Sequence, residues 1–250
     1  MPLTHTNARG RRTVRAVLAV AVVALPLLGA MPQAARDGDP ASLHMLMTPA
    51  RRGTAADTAR AASVAAALRE AIAKYRDTTA AVADGFRMFA PQLKQQKVYH
   101  FTNSWAGVQE SFRFDPRKPT SLLYKKDASG RFVLTGAMYV APKRFSAEQL
   151  DARIPLSVAR WHKHVNWCIP PRGQMARWLE RRDGHPVFGP ESPVATKAEC
   201  DAVHGVFHDT IFGWMVHANV FEGDDPEVIW GDEHAGHDMH EGMKMDGSGV

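Results

Sequence analysis

The sequence predicts an α+β domain in which an antiparallel sheet packs against one long N-terminal helix, with disordered segments at both ends. Apolar residues recur at helical spacing between residues 68 and 89, and short alternating segments rich in aromatic and β-branched residues follow from residue 97 onward. Neither end shows an apolar period. The predicted division is a leader over 1–30, a disordered linker over 31–53, a single domain over 54–230 and a disordered tail over 231–250.

The first 30 residues have the layout of a secretory leader. They contain no acidic residue, four arginines (Arg9, Arg11, Arg12 and Arg15) and then an apolar run over 16–30. This run is short for a transmembrane helix, which needs about 20 apolar residues. We therefore expect a periplasmic or secreted protein with no stable membrane span after removal of the leader.

Removal of the leader also changes the charge of the chain. The formal net charge of +5 loses four arginines and becomes +1. Nucleic-acid binding is not expected, because the basic surface that it requires is then missing.

One helix is predicted from a cap at Thr54 or Asp57 to about Phe89, shortly before Pro91. The preceding linker is rich in Pro, Arg, Gly and Ala and has no apolar period. The apolar stripe of the helix is expected to cover the sheet, and it consists of Leu68, Ile72, Tyr75, Thr79, Val82, Phe86 and Phe89.

The first strands of the sheet are predicted after Pro91. Residues 97–103 alternate and are rich in aromatic and β-branched types, which is typical of a strand. Residues 121–126 and 131–141 form the clearest hairpin, because Gly130 in the connection can adopt the positive φ that a short turn needs.

Two short helices and two histidine-bearing strands complete the predicted domain. Ser146 is expected to cap a helix over 147–152, and Thr196 opens a capping box before a helix that carries Cys200. Strands are predicted from about residue 154 to 168 and over 206–221, the second bent at Asp209 or Gly213. Proline and glycine make the region between Cys168 and Pro193 irregular.

The segment Trp161–Cys168 reads W-H-K-H-V-N-W-C and carries the best chemical signal in the chain. Alternate side chains of a strand share a face. One face is therefore expected to hold His162, His164, Asn166 and Cys168, and the other Trp161, Lys163, Val165 and Trp167. A second strand repeats the pattern His-x-Asn with His217 and Asn219.

If both strands face one cavity, they supply His162, His164 and His217 as metal ligands, with His100 as a candidate fourth. Asn166 and Asn219 are then expected to orient the ligands from a second layer. Three protein histidines leave a position open for water or substrate, an arrangement typical of zinc or copper. The alternative is a polar pair that is hydrogen-bonded in a half-buried sheet. No catalytic residue is predicted.

The two cysteines, Cys168 and Cys200, have two interpretations. An exported protein meets an oxidising compartment, which favours a disulfide that would stabilise the fold by roughly 3 to 4 kcal/mol. In the alternative, Cys168 is a thiolate ligand beside the histidines.

The tail has the composition of a copper-collecting segment. Thioethers prefer Cu(I), and imidazole also accepts Cu(II). The alternative is generic, low-affinity metal capture. The candidate ligands are His234, His237, His240, Met239, Met243 and Met245.

Three motifs resemble a group of uncharacterised exported bacterial proteins over roughly Tyr75 to Trp230. They are W-H-x-H-V-N-x-C at 161–168, G-A-M-Y-x-A-P at 136–142, and F-G-W-M-V-H at 212–217 followed by F-E at 221–222. The resemblance implies secretion and a compact domain, and it brings no established activity. In composition, the tail resembles segments of periplasmic copper-resistance proteins.

The function predicted from these features is periplasmic metal binding, concerned with copper handling or resistance. Copper is the expected metal, with zinc as the alternative. A metal-dependent oxidoreductase or hydrolase that uses the same histidines is the second hypothesis. The third is a structural or interaction domain without metal, in which Trp161 and Trp167 contribute to a partner surface. The sequence does not identify a protein partner.

Overall fold

Helices and an antiparallel sheet make up the fold, as predicted. The computed structural model describes residues 43–91 and 96–231. The predicted leader, most of the predicted linker and nearly all of the predicted tail lie outside these ranges. Within them, no helix is both long and apolar enough to cross a membrane.

The order of the elements along the chain alternates short helices with strands. 3₁₀ turns cover Ala73–Arg76 and Met175–Leu179. The strands and helices are β1 (Met45–Met47), α1 (Ala55–Ile72), α2 (Thr78–Ala83), β2 (Arg87–Met88), β3 (Tyr99–Thr102), α3 (Ser104–Phe112), β4 (Ser121–Lys126), β5 (Phe132–Ala141), α4 (Ala147–Asp151), β6 (His162–Ile169), β7 (Arg181–Arg182), β8 (His185–Pro186), α5 (Lys197–Ala202), β9 (Val206–Thr210), β10 (Trp214–Ala218) and α6 (Pro226–Trp230).

The main sheet has the strand order β1-β6-β10-β5-β4-β3-β2, and β9 pairs with the second half of β6. All of its pairs are antiparallel. The hairpin of β4 and β5 forms where the sequence predicts it. The predicted segment 206–221 divides into β9 and β10, with the bend at residues 211–213.

The two faces of the sheet differ because residues alternate along each strand. One face packs against α1 in the main core, to which Leu68 and Ile72 of the helix and Leu122, Tyr139 and Val216 of the sheet belong. The opposite face carries a smaller apolar cluster. Its buried members are Leu123, Met138 and Met215, and Val98, Val140 and Phe212 pack against them.

The long helix predicted over 54–89 is divided. Thr54, one of the two predicted caps, caps α1 in a capping box with Asp57, but the α-helix ends at Ile72 and a 3₁₀ turn follows. The hydroxyl group of Tyr124 donates a hydrogen bond of 2.7 Å to the carbonyl oxygen of Tyr75. Asp77 is extended and caps α2 by accepting from the backbone N–H of Thr79. A contact with the sheet and a new cap therefore end the helix where local propensity would continue it.

Part of the segment predicted as a disordered linker is a strand. Residues 45–47 form β1 and pair with residues 162–164 of β6. Thr48, which is 2% exposed, fixes the end of β1: its N–H donates to the carbonyl oxygen of Trp161 at 2.8 Å, and its hydroxyl oxygen accepts from the N–H of Trp161 at 3.0 Å. Three residues are too few to show a strand period, which is why the sequence did not indicate β1.

The chain after β1 is held by ion pairs. The Arg51 guanidinium lies 3.0 Å from the Asp57 carboxylate in α1 and 2.7 Å from the Asp151 carboxylate in α4. Hydrogen bonds from Arg51 lower the pKa of the Asp57 carboxyl group. The pKa of Asp151 is also lowered, because hydrogen bonds from the backbone N–H of Leu156 and from Arg51 outweigh the opposing effect of burial. The chain between β1 and α1 is therefore fixed at several points.

The disulfide Cys168–Cys200 is present, with a Cα–Cα distance of 5.4 Å. It joins the end of β6 to α5 inside a separate small core that contains Val187, Phe188 and Val203. A Cβ atom at Gly205 would collide with both sulfur atoms, so the chain can pass the disulfide only where residue 205 has no side chain.

Candidate functional site

The predicted histidines lie on the sheet face opposite α1. His162 is the first residue of β6 and pairs with Met215 of β10, whose neighbour on the same face is His217. His100 in β3 pairs with Leu123 of β4, a member of the apolar cluster on this face. Three strands of the sheet therefore direct an imidazole ring to one side.

The imidazole rings contact one another in a series. The ring centroids of His100 and His217 are 5.6 Å apart, those of His217 and His162 are 5.2 Å apart, and those of His162 and His164 are 5.6 Å apart. His162 is 2% exposed and His217 is 7% exposed, whereas His100 and His164 are half-buried. The structure thus brings together all four histidines that were predicted as metal ligands within the folded domain.

These separations can be compared with those in a metal site. A Zn–N bond is about 2.0–2.1 Å long, so two imidazoles on one tetrahedral ion have ring centroids about 5 Å apart. Each of the three observed pairs is close to this value. However, in the part of the chain that the structure describes, no group of three or more His, Cys, Asp or Glu side chains is arranged to hold an ion as it stands. The spacing of the rings is that of two imidazoles on one ion, but no three-ligand arrangement is present among the described residues.

The alternation predicted for β6 fails at Asn166. This residue has a φ of +56°, in the left-handed region that asparagine tolerates better than most residues. As a result, the ring of Trp167 contacts that of His164, with centroids 4.8 Å apart, although the two were expected on opposite faces. Asn166 therefore lies after residues 162–164, which pair with β1, and before residues 167–169, which pair with β9.

Aromatic side chains border the histidines on one side. Phe212, in the bend between β9 and β10, lies with its ring centroid 6.1 Å from that of His164 and 5.8 Å from that of Trp167. Phe89 contacts Phe212 in turn, at 6.0 Å. An apolar border of this kind lowers the local dielectric and strengthens electrostatic interactions inside it.

Of the two asparagines expected to orient the ligands, Asn166 uses its side chain elsewhere, whereas the buried side-chain oxygen of Asn219 has no hydrogen-bond partner among the described residues. The side-chain amide of Asn166 donates to the carbonyl oxygen of Leu43 at 3.1 Å, which ties β6 to the start of the described chain. Asn219 is buried, and its backbone N–H donates to the carbonyl oxygen of Ile229.

The interpretation of Cys168 as a thiolate ligand is wrong, because its sulfur is bonded to Cys200. Both cysteines of the chain are used in this bond. The sulfur atoms that remain for a metal belong to methionines.

His44 was not assigned to the site, yet it fixes the strand beside it. Its ring is 1% exposed, and Nε2 donates to the carbonyl oxygen of Ser192 at 2.6 Å. His44 directly precedes β1, so this bond and those of Thr48 hold both ends of the strand. Sequence reasoning missed this role because Ser192 is 148 residues away along the chain.

A buried carboxyl group was also missed. Glu110 of α3 is 2% exposed, and burial raises its pKa to about 7. The hydroxyl group of Thr120 donates to Oε2 of Glu110 at 2.6 Å, and the positive charge of Arg153 opposes the increase. The only signal in the sequence is that Glu110 follows the apolar residues Ala106 and Val108 within one short helix.

The candidate ligands of the tail, His234, His237, His240, Met239, Met243 and Met245, lie outside the described residues. Comparison of the chain with family models, with curated proteins and with solved structures gives no match. The resemblance to uncharacterised exported proteins therefore stays a prediction.

Proposed function

We propose that the protein is a periplasmic metal-binding protein that handles or detoxifies copper. His162 and His217 would hold the ion, with His100 and His164 completing the set. The observation that carries the proposal is the contact series of imidazole rings from strands β3, β10 and β6, at separations of 5.2 to 5.6 Å. The predicted leader supports export, and the His/Met tail would load or scavenge metal.

The donor types favour copper or zinc. Imidazole is a borderline ligand that suits both, whereas magnesium and calcium need oxygen ligands. The soft thioethers of the tail favour copper over zinc. Zinc remains the alternative metal for the histidines alone.

The proposal is tested by metal analysis of the protein purified from a periplasmic fraction. Elemental analysis and Cu(II) spectroscopy would be applied to the wild type, to His162→Ala/His217→Ala, and to a variant without residues 232–250. The double variant is expected to lose the tightly bound stoichiometric ion, and the tail variant to lose only part of the total capacity. His185→Ala/His204→Ala is the matched control, because both of these histidines are exposed.

Two results would contradict the proposal. Retention of full tight binding by the double variant would exclude the sheet histidines as ligands. Substoichiometric metal in the wild type would favour the structural or interaction domain. Because His162 and His217 are buried, His162→Gln/His217→Gln is measured in parallel, and circular dichroism shows whether each variant folds.

A further inference from the structure

Methionines stand directly opposite the histidines of the sheet. In antiparallel strands, two residues that face each other have their Cβ atoms about 4.5–5.5 Å apart and on the same side. Four such pairs place a thioether next to an imidazole. The pairs are Met45 with His164 and Met47 with His162, from β1 and β6; Met215 with His162, from β10 and β6; and Met138 with His217, from β5 and β10.

This placement is selective. Six methionines lie in the described ranges, and only Met88 and Met175 are outside the four pairs. Met88 pairs with Phe101, and Met175 is 52% exposed in a 3₁₀ turn. Every methionine next to a histidine in register is buried or half-buried, so none of the four is a simple surface residue.

The chemistry of the paired residues points to one oxidation state. Thioether and imidazole are neutral donors, and thioether sulfur selects Cu(I) over Zn(II) and Cu(II). A neutral donor set also suits a buried cation of low charge, because the cost of removing an ion from water increases with its charge. Both cysteines are in the disulfide, so methionine is the one source of sulfur ligands in the chain.

We propose that this face of the sheet binds Cu(I), with thioethers from among Met45, Met47, Met138 and Met215 joining the imidazoles that they face. This inference rests on the proposed function and specifies its metal and oxidation state. Strand β1 supplies half of the thioethers. His44 and Thr48 hold its two ends through buried hydrogen bonds, so these donors are kept in position against β6.

The first test uses X-ray absorption at the copper edge on the full chain loaded with one equivalent of Cu(I). Met31, Met239, Met243 and Met245 are replaced by Leu in every sample, so that, apart from the initiator Met1, every possible sulfur neighbour of copper belongs to the described residues. Copper–sulfur scattering is expected in this background and is expected to disappear in the variant that adds Met45→Leu, Met47→Leu, Met138→Leu and Met215→Leu. Met88→Leu/Met175→Leu is the matched control and is expected to keep the scattering.

The second test measures Cu(I) affinity by competition with a chromophoric chelator in the absence of oxygen. The fourfold methionine variant is expected to bind Cu(I) at least about a hundredfold more weakly, while Cu(II) and Zn(II) affinity changes little. Leucine conserves volume, so the fold is expected to tolerate these changes. Met45→Leu/Met47→Leu alone, at two half-buried positions, is expected to weaken Cu(I) binding in the same direction if the full variant fails to fold.

The outcomes separate this inference from the proposed function. Unchanged Cu(I) affinity in the methionine variants, or copper with only nitrogen neighbours in the background that lacks the tail methionines, would overturn the thioether site and leave the histidine site standing. If the methionine variants and the histidine variants all keep tight metal binding, both the thioether site and the histidine site are overturned.

Discussion

Glu110 is a carboxyl group that the fold keeps partly protonated at neutral pH. Burial raises its pKa from 4.5 to about 7. Between these values the folded protein binds more protons than the unfolded chain, so the free energy of unfolding falls as the pH rises. The contribution of this residue is therefore fully present below about pH 4.5 and is lost above about pH 7.

Replacement of Glu110 by Gln is expected to remove this pH dependence. The change in unfolding free energy between pH 5 and pH 8 that Glu110 causes is on the order of 3 kcal/mol, and an amide of similar shape cannot lose a proton. Urea unfolding at the two pH values measures it. Glu70→Gln, at an exposed position of α1, is the control. An equal pH dependence in the Glu110 variant and the wild type would show that this carboxyl group titrates normally.

Asn166 shows how one residue limits prediction at this scale. The two-residue period of β6 correctly places His162 and His164 among the other histidines. It fails for Trp167, because a positive φ at Asn166 turns the following side chain toward His164. Asparagine is compatible with this conformation, but nothing in the sequence requires it, since the bond from its amide to Leu43 is formed only in the folded protein.

Strand β1 borders the candidate site, and its presence was not predicted from the sequence. It was expected to be part of a linker, yet it pairs with β6 at the two histidines and fixes one edge of the sheet. The buried ring of His44 is the main anchor at its beginning. The hydrogen bond from His44 to Ser192 can be tested by a single substitution.

Replacement of His44 by Ala is expected to loosen β1 without disturbing α1. The change leaves the buried carbonyl oxygen of Ser192 without its donor, which costs about 1–3 kcal/mol. Hydrogen exchange is expected to accelerate at the backbone amides of 45–47 and 162–164 and to stay unchanged in α1. His185→Ala is the control. Slow exchange across β1 in the His44 variant would mean that Thr48 and strand pairing suffice to hold it.

Elements with local signals were predicted well. The helix caps at Thr54, Ser146 and Thr196 and the hairpin with Gly130 all form as the sequence indicates, because each depends on residues only a few positions apart. The division of the long helix was not predicted, since it depends on a bond from Tyr124, 49 residues away. The meeting of His100 with His217 depends on strand order, which alternation alone does not determine.

At the scale of the whole molecule, the small core that contains the disulfide is separate from the main core. The main core joins α1 to the sheet, and the small core surrounds the sulfur atoms. The bond closes a segment with a sequence separation of 32 residues. In the chain-entropy model a closure of this length stabilises a fold by about 3 to 4 kcal/mol.

Replacement of both cysteines by Ala is expected to lower the free energy of unfolding by about that amount. The stoichiometry of metal binding is expected to stay the same, because neither sulfur is a ligand in the proposed site. Urea unfolding and elemental analysis of the same preparation measure the two quantities. Oxidised wild-type protein is the reference. Loss of tight metal together with the disulfide would show that the histidine site depends on the small core.

The separate core around Cys168 and Cys200 also affects how the sequence can change in evolution. A segment with its own apolar interior and its own covalent closure can gain or lose residues while the histidine-bearing strands keep their register. In homologous chains, insertions and deletions are therefore expected to accumulate between residues 170 and 195, and to be rare in the strands that flank that interval.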